Sequence, residues 1–572
     1  MTFFGQAKAT HNRAGQITYK WVGPGFYTYE IKLTTYTNIG GTNLADRCED
    51  TVYFGDGAKA VVLRSNGLCN GSCSPSCEGQ PLPGGTIKLN QYVTTHTYPG
   101  PGNYKMSMED PNRNAGVINI PNSVNQVFYV ESFLVIPAFG IGKNSSPILT
   151  FPPIDNACVG RCFKHNPGAY DIDGDSISYE LTPCRGHLGV ICPGYSNPAI
   201  GSGNFTIDSL TGTLEWCTPQ AQGEYNMAML IKEWRKDDDG NYFLVGYIER
   251  DMQVDVGICN NNNPHIVLNN QNVFPVAGTT VSKTITANDP DGDVLTMEAR
   301  GGPFAAPMPS AIFSSTSGIF SWQTSINHVR RMPYQVTVKV IDNDPYIKLV
   351  DFKTFNIKII PHAPVNLIAL PSYQHIVLKW QKPSSYITTG SNPFLRYNVY
   401  KKDSVSNWLP AINETTPPAY TGFTYIGSTS GNITDTSFTD YNNGNPFVSG
   451  KDYSYVVLAE YKDGATSQVS NIAISQIYVG INERTLETAE FQAIPNPANE
   501  ELVIVFNKQA LEWQYIELMD ITGRTIKLLT AKEDITQANT IRLNLDNINP
   551  GIYFLKITGP CNDAITKKII KQ

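Results

Sequence analysis

The chain has 572 residues and a formal net charge of −7, and only 16% of its residues are charged. A chain of this length is expected to form about three to five domains. Its acidic balance, without a basic stripe, argues against nucleic acid as a partner, because phosphate backbones are bound by clustered Lys and Arg. No apolar run reaches the roughly 20 residues that a membrane-spanning helix needs, so the sequence predicts no transmembrane segment.

The composition predicts an all-β protein. The chain contains 30 tyrosines, 47 glycines and 38 prolines. Tyrosine favours strands, whereas glycine and proline favour the turns between them. No long window carries the i, i+3, i+4, i+7 pattern of an amphipathic helix, so we expect a tandem array of immunoglobulin-like β-sandwich domains. The N-terminus carries only a stub of a signal-peptide core, and we expect the sequence to begin at a late start or a processed end.

Residues 1–137 carry two local signatures. The first is Phe-Gly-Asp-Gly at residues 54–57, and the second is a His-x-Tyr segment followed by Pro-Gly-Asn-Tyr, at residues 96–106. Asp followed by Gly favours a tight turn with positive φ, so we interpret Asp56 as a turn residue rather than a catalytic acid. Together the signatures resemble the PKD domain, which implies an immunoglobulin-like sandwich. A cysteine-rich loop lies between them.

The eleven cysteines indicate disulfide bonds. Ten of them precede the C-terminal domain, and an even number fits pairing in an oxidising compartment. The cluster Cys69, Cys73 and Cys77, with Cys48 upstream, fits two disulfides that pin a loop, and zinc is the alternative. The other expected links are two local loops and one longer connection: Cys158–Cys162, Cys184–Cys192 and Cys217–Cys259. The eleventh cysteine is Cys561.

Residues 138–262 and 263–362 repeat one ordered set of motifs. Asp-Ile-Asp-Gly-Asp at 171–175 recurs as Asp-Pro-Asp-Gly-Asp at 289–293, and each copy continues with Gly-x-x-x-Trp and then a tyrosine-led strand. An acid lies eight residues beyond the tyrosine in both copies. An ordered echo of this kind indicates two copies of one domain in tandem. The set resembles the cadherin-like and dystroglycan-type repeats of bacterial surface proteins.

The Asp-x-Asp-Gly-Asp loops predict calcium binding, because alternating carboxylates on a turning loop bring several hard oxygen ligands together. They are not EF-hands, since Thr182 and Arg300 stand where that loop requires a glutamate. The expected Ca²⁺ ligands are six carboxylates: Asp171, Asp173, Asp175, Asp289, Asp291 and Asp293. The alternative is a hairpin turn with solvated acids. The asparagine-rich linker at 255–264 resembles cadherin-like junctions, where calcium stiffens the joint, and a polar linker without an ion is the alternative there.

Residues 363–478 change in character. Their marks are Trp380 on an early strand, a Tyr-x-Val-Tyr strand at 397–400 and a Tyr-x-Tyr-x-Val strand that starts at Tyr453. The segment resembles a fibronectin type III domain, which implies that Trp380 and Tyr453 are core residues rather than a sugar-binding platform. The polar, acidic segment 479–491 is expected to be an exposed linker and a cleavage region.

Residues 492–572 contain five short runs of period two, separated by Pro, Asn and Gly turns, which predicts a small antiparallel sandwich. A Pro-Asn-Pro entry, an Asp-x-x-Gly hairpin, a Gly-x-Tyr strand and a lysine-rich end follow one another. This order resembles the type A C-terminal sorting domain of type IX secretion. The resemblance implies recognition by the type IX secretion machinery, export to the outer-membrane surface or extracellular space, and removal of this domain.

No catalytic motif stands out in the sequence. The eight histidines are scattered, and there is no Gly-x-Ser-x-Gly elbow, phosphate loop or dinucleotide fingerprint. We therefore expect a non-enzymatic surface protein that acts in adhesion, surface or filament assembly, or gliding-type motility. Its partner would be an extracellular protein or glycan surface, or further copies of itself. The alternative is a secreted hydrolase or a carbohydrate-binding accessory protein.

Overall fold

The computed structural model confirms the all-β class. It describes residues 12–23, 25–39, 47–71, 73–138, 142–237, 241–372, 374–390, 392–477, 491–506, 515–530, 540–558 and 564–572. Helical structure in these ranges is limited to the four-residue α1 (Gly302–Ala305) and short 3-10 turns at Ser123–Asn125, His187–Gly189, Ile326–His328, Ala419–Thr421 and Asn442–Gly444. The chain divides into two compact units, one of residues 1–370, 376–440 and 452–475 and the other of residues 371–375, 441–451 and 476–572.

The first part of the first unit is built on fifteen strands. They are β1 (Asn12–Trp21), β2 (Thr28–Asn38), β3 (Glu49–Tyr53), β4 (Lys59–Leu63), β5 (Gln80–Pro81), β6 (Ile87–Thr97), β7 (Gly102–Asp110), β8 (Phe128–Ile136), β9 (Ala157–Cys158), β10 (Cys162–His165), β11 (Ser176–Thr182), β12 (Phe205–Ile207), β13 (Leu214–Cys217), β14 (Gly223–Lys236) and β15 (Tyr242–Gly257). Alternate residues of these strands are buried, which fixes the face that each strand turns to the core. In β2, for example, Tyr29, Ile31 and Leu33 are fully buried in one core.

A single twelve-stranded sheet joins the two predicted domains at 1–137 and 138–262. Its main path is β4-β3-β7-β8-β15-β1-β2-β6-β5, with β14 and β9 also on β15 and β11 on β14. The long strand β15 pairs with β8 and β1 of the first predicted domain and with β14 of the second. The backbone hydrogen bonds of this sheet therefore cross the predicted boundary, and two separate hydrophobic cores pack on it.

The second repeat and the segment after it follow in the same unit. Their strands are β16 (His265–Val267), β17 (Asn272–Val273), β18 (Thr280–Thr284), β19 (Thr286–Asn288), β20 (Thr296–Gly301), β21 (Ile312–Ser314), β22 (Ile319–Gln323), β23 (Tyr334–Ile341), β24 (Val350–Ile357), β25 (Val365–Pro371), β26 (Ile376–Gln381), β27 (Phe394–Lys402), β28 (Thr424–Ser428), β29 (Ser437–Asp440), β30 (Asp452–Tyr461) and β31 (Ala473–Gln476). The sheets β17-β24-β23-β20 and β18-β22-β21 belong to the repeat, and β25-β26-β29 and β28-β27-β30-β31 to the segment after it.

The tryptophans of the repeated Gly-x-x-x-Trp motif occupy equivalent positions in the cores of the two repeats. Trp216 and Trp322 are both buried, and each stands edge-on to a tyrosine, with ring centroids 4.8 Å from Tyr225 and 4.9 Å from Tyr334. Each indole N–H donates to a carbonyl of a preceding loop, at 3.1 Å and 3.0 Å. The motif therefore encodes the same core contact twice. Trp380 and Tyr453 are buried too, as expected of core residues.

The second unit contains seven described strands where the sequence predicted five. They are β32 (Phe491–Ile494), β33 (Glu501–Phe506), β34 (Tyr515–Met519), β35 (Thr525–Thr530), β36 (Thr540–Asn544), β37 (Gly551–Thr558) and β38 (Ala564–Lys571). They form two sheets, β32-β33-β36 and β35-β34-β37-β38, around one apolar core. The prediction missed β32 and β35, because each is a short strand at the edge of its sheet and shows little alternation of apolar and polar residues.

The predicted linker lies outside the described residues up to position 490, and Phe491 already begins β32.

The disulfides are Cys48–Cys73, Cys69–Cys77, Cys158–Cys259 and Cys162–Cys217. The two disulfides expected in the cysteine-rich loop are confirmed, and the alternative of a zinc site made by these cysteines is not supported. The predicted Cys158–Cys162 and Cys217–Cys259 links are wrong, because strand register sets the partners. Antiparallel β10 and β13 place Cys162 opposite Cys217, and parallel β9 and β15 place Cys158 beside Gly257. The predicted Cys184–Cys192 link is wrong as well, because both residues are buried free thiols. Cys561 lies outside the described residues.

Candidate metal sites

The two Asp-x-Asp-Gly-Asp loops stand before equivalent strands. The first, residues 171–175, leads directly into β11, and the second, residues 289–293, lies between β19 and β20. The loops turn at Gly174 and Gly292, whose φ values of 88° and 84° lie in the left-handed region. A side chain at either position would strain that turn, which explains why glycine stands there.

The first aspartate of each loop has the same bonding pattern. Oδ1 of Asp171 accepts the backbone N–H of Asp175 at 2.7 Å, and Oδ1 of Asp289 accepts those of Asp291 and Asp293 at 2.8 and 3.2 Å. Within the described part of the chain, the other oxygen, Oδ2, is buried in both aspartates without a hydrogen-bond partner. A buried carboxylate oxygen is costly unless a proton, a donor or a cation meets it. The same unpartnered oxygen occurs in both copies, which makes it a candidate position for a proton, a donor or a cation.

In the first loop the structure brings together a different set of acids from the predicted one. Carboxylate oxygens of Asp171, Asp175 and Glu233 lie within 4.8 Å of one another. Asp173 is not in this group, and its Oδ2 accepts the backbone N–H of Ser145 at 2.6 Å. Glu233, fully buried on β14, was missed as a ligand candidate. The signal that could have found it is the acid that recurs eight residues beyond the tyrosine in both repeats.

The second loop brings its three predicted residues together. Carboxylate oxygens of Asp289, Asp291 and Asp293 lie within 4.8 Å of one another, and Asp291 is exposed. The loop also approaches the segment after β23, where Oδ1 of Asn343 accepts the backbone N–H of Val294 at 2.9 Å. The second cluster is therefore open to solvent, whereas the first is enclosed.

The asparagine-rich linker binds the second loop directly. The backbone N–H and the side-chain Nδ2 of Asn262 donate to the two carboxylate oxygens of Asp291, at 2.7 and 2.8 Å. These hydrogen bonds lower the pKa of Asp291 and keep it ionised. Nδ2 of Asn261 donates to Oδ2 of Asp342 at 2.8 Å. The linker thus fixes the loop and the neighbouring acid in one arrangement.

The enclosed cluster has the opposite electrostatic character. Burial, and then the charge of Asp175, raise the pKa of Asp171 to about 6. Burial and the nearby Asp171 raise the pKa of Glu233 well above its ordinary value. Oε2 of Glu233 accepts from Nδ2 of Asn144 at 2.9 Å and from the hydroxyl of Tyr19 at 3.2 Å. The pKa of Asp291 in the second cluster is therefore lowered, whereas those of Asp171 and Glu233 in the first are raised.

Both clusters fit a hard divalent cation in the chemistry of their donors. Calcium takes carboxylate and amide carbonyl oxygens in a flexible arrangement of about six to eight ligands. Next to Asn262, which binds the second loop, stands Asn261, whose Oδ1 is buried and has no partner among the described residues. The residues that would hold an ion are therefore Asp171, Asp175 and Glu233 in the first repeat, and Asp289, Asp291 and Asp293 in the second, with Asn261 as a further candidate.

The fold defines a protein of several immunoglobulin-like β-sandwiches. Its C-terminal residues 492–572 match the family described as "Secretion system C-terminal sorting domain". This domain implies recognition by the type IX secretion machinery and secretion to the cell surface or extracellular space. No helix in the described ranges is both long and apolar enough to cross a membrane.

Solved structures with a similar fold were also found, and no curated protein matches significantly. Domains A168–A170 of titin match with 14% identity and a TM-score of 0.18, over 58% of this chain and 98% of that one. Two fibronectin type III domains of chicken tenascin match with 12% identity and a TM-score of 0.21, over 37% and 98%. A nucleoside hydrolase-related protein from Saccharophagus degradans matches with 22% identity and a TM-score of 0.15, over 17% and 26%. At these TM-scores the likenesses carry no functional information.

Proposed function

We propose that this chain is a non-enzymatic, calcium-stabilised surface protein that acts in adhesion or in assembly at the cell surface, including filaments and gliding-type motility. The observation that carries the proposal is the buried Oδ2 atom without a hydrogen-bond partner that the first aspartate of each loop has, in Asp171 and in Asp289. Calcium bound in at least one of the two loops would fix that loop against the strands around it. PKD-like, cadherin-like and fibronectin type III modules suit this role.

Ion pairs and hydrogen bonds between neighbouring modules support a mechanical role. Nζ of Lys339, on the second repeat, pairs with Asp155 of the first at 2.5 Å, and both side chains are buried. Lys164 and Asp351 form a second pair at 2.9 Å. The backbone N–H of Arg331 donates to Oδ2 of Asp463 in the following module, at 2.6 Å. Contacts of this kind hold consecutive modules in fixed positions, which suits a protein that transmits force.

The non-enzymatic interpretation is supported by the burial of the best-placed carboxylate pair. Glu131 on β8 and Glu249 on β15 are 2% and 0% exposed. Burial first, and then the charge of Glu131, raise the pKa of Glu249 well above its ordinary value. Paired acids with separated pKa values are typical of glycosidases. A substrate has no route to carboxylates that are this deeply buried, so their role is structural.

The experiment that tests the proposal compares thermal unfolding of the full chain with excess calcium and with a chelator. The expected result is a calcium-dependent rise in Tm that disappears when Asp171→Asn and Asp289→Asn are combined. The matched control is Asp208→Asn, since Asp208 accepts two backbone N–H groups in an exposed turn of similar design. Equal Tm values with calcium and chelator would reject the calcium component. Turnover of polysaccharide or peptide, abolished by one acid substitution, would reject the non-enzymatic component.

Assembly has its own readout. The proposal predicts either binding of the purified chain to extracellular proteins or glycans or concentration-dependent polymers in electron micrographs. A strictly monomeric protein would reject filament formation, and the absence of any surface binding would then reject adhesion as well.

A cavity favours a second candidate function, the binding of an acidic glycan. It has a volume of about 1070 Å³ and lies between the sheet of β1, β2 and β6 and the second repeat. Among the charged side chains that line it, Arg13 pairs with Asp255, Arg300 with Glu298 and Lys339 with Asp155. The remaining ones are three basic and one acidic: Lys20, Lys32, Lys348 and Glu30. The test is calorimetric titration with a polyuronic acid. Equal weak binding by the wild type and by Lys20→Gln, Lys32→Gln would reject this site.

A further inference from the structure

The two repeats carry opposite charges at one equivalent sequence position near their acidic loops. Glu233 and Asp342 are the acids that follow the echoed tyrosines, and two residues beyond them lie Arg235 and Asp344. A cation in the first repeat thus corresponds to an anion in the second. Both residues lie close to their loops, so this reversal changes what each cluster can bind.

In the first repeat Arg235 already holds the acidic loop. Its Nε donates to Oδ1 of Asp175 at 2.7 Å, and its Nη2 contacts the other oxygen of the same carboxylate. Nη2 also donates to Oδ1 of Asn144 at 2.9 Å, which fixes the guanidinium in place. The side chains of Arg235 and Asp175 are 15% and 5% exposed. A bidentate pair of this kind places a positive charge against the carboxylate, which disfavours a metal ion at the same group.

Two buried oxygens of the first cluster, Oδ2 of Asp171 and Oε1 of Glu233, have no donor among the described residues. The two side chains are neighbours whose charges repel. Because the guanidinium of Arg235 is hydrogen-bonded to Asp175 of the same cluster, the first cluster already has a positive charge beside its carboxylates.

The second cluster has no such side-chain cation hydrogen-bonded to its carboxylates in the described ranges. Next to the linker residue that binds Asp291 is Asn261, a side chain that is 5% exposed and whose Oδ1 is buried without a partner. An amide carbonyl oxygen only accepts, so it needs a donor or a cation. Nδ2 of Asn261 donates to Asp342, whose carboxylate interacts with that of Asp289 in the loop.

The charges around the second cluster also favour a cation. Asp344 lies near the carboxylates of Asp289, Asp291 and Asp293, so its negative charge adds to the repulsion within the loop. In the described ranges the hydrogen-bond partners of the loop carboxylates are backbone N–H groups and Asn262. Arg161 contributes only a weaker attraction to Asp291, without a hydrogen bond to it.

We propose that the second loop is the divalent-cation site of this protein, completed by Asn261, Asp342 and Asp344, and that Arg235 takes the place of the ion in the first loop. This inference rests on the calcium binding of the proposed function and names the repeat that performs it. One repeat therefore depends on calcium and its neighbour does not.

The test is the number of ions bound by the full chain, measured by calorimetric titration with calcium and by terbium luminescence. We expect one ion per chain. The matched variants are Asp173→Asn and Asp291→Asn, which change the middle aspartate of each loop. Asp291→Asn should weaken binding by tenfold or more, and Asp173→Asn should leave the affinity unchanged within twofold.

The charge reversal can be tested directly. Arg235→Asp, which copies the second repeat, should raise the number of bound ions from one to two, and Arg235→Gln serves if that variant fails to fold. Asp344→Asn should weaken the single site several-fold. Two ions in the wild type, or loss of binding on Asp173→Asn alone, would overturn the assignment while leaving calcium binding intact. Absence of binding by every variant and by the wild type would instead overturn the proposed function.

Discussion

Nδ2 of Asn261 donates a hydrogen bond to Oδ2 of Asp342 at 2.8 Å, across 81 residues of sequence. The same amide donates to the carbonyl of Ile347 at 3.0 Å. The linker between the two repeats is therefore part of the second repeat's acidic cluster rather than a passive tether. A substitution in the linker should therefore alter the stability and cation binding of the cluster, and a substitution in the cluster should alter the position of the linker.

Asn261→Ala should lower both the stability of the second repeat and its response to calcium. The substitution removes one donor to a buried carboxylate, and such losses cost about 1–3 kcal/mol. We expect the calcium-dependent rise in Tm to shrink by at least half, measured by differential scanning calorimetry. Asn125→Ala is the matched control, since its side chain makes one exposed hydrogen bond. An unchanged calcium response in Asn261→Ala would contradict the role given to the linker.

Calcium-free protein should lose stability as the pH rises from about 4 to about 6. The pKa of Asp171 is raised from 3.8 to about 6 by burial and then by Asp175. A carboxyl group with a higher pKa in the folded state holds its proton more tightly there, so its contribution is complete below the unfolded pKa and is lost as the pH rises through the folded one. The loss is at most about 3 kcal/mol. Circular dichroism melts across this range measure it.

Asp171→Asn provides the comparison for the pH measurement. An amide does not titrate, and it also removes the charge that raises the pKa of Glu233. The variant should therefore show a flatter dependence of Tm on pH between 4 and 6. A slope equal to that of the wild type would show that other groups are responsible.

The long disulfide should stabilise the first unit more than the short one does. Cys158 and Cys259 are separated by 101 residues, and Cys69 and Cys77 by only 8. In the chain-entropy model, closing the longer loop is worth about 2 kcal/mol more. Replacing the first pair by serine should therefore lower the free energy of unfolding in urea by about 2 kcal/mol more than replacing the second. Equal losses would indicate that strain or residual structure outweighs loop length.

Trp322→Phe and Trp216→Phe should have the same effect, because the two indoles make the same contact. Each change removes one hydrogen bond, to the carbonyl of Ala199 or of Pro309, and part of a buried ring, at a cost of about 1–3 kcal/mol. The two free energies of unfolding, measured by urea titration, should agree within about 1 kcal/mol. Tyr346→Phe is the control, since Tyr346 is 89% exposed and should show almost no change. A large difference between the two tryptophans would show that the repeats are not equivalent in their cores.

The local features of this chain were readable from its sequence. Period-two burial in β2 follows from side-chain pattern, because a strand presents alternate residues to one face, and the burial of Trp380 was implied by the resemblance to fibronectin type III domains. The Gly174 and Gly292 turns follow from the need for a positive φ. The three aspartates of the second acidic cluster were also expected to lie together, since they come from one short loop.

The remaining features depend on residues far apart in the sequence, and only the tertiary structure decided them. Strand register, not spacing, pairs Cys162 with Cys217, and the position of β15 joins two predicted domains in one sheet. The first acidic cluster includes Glu233, and Arg235 binds its Asp175; both Glu233 and Arg235 come from β14, which pairs with the strand after the loop. The sequence by itself determined which segments form strands, which turns join them and where acidic loops recur, because these depend on neighbouring residues. Which side chains meet across the sheets depends on register and packing, which no local pattern specifies.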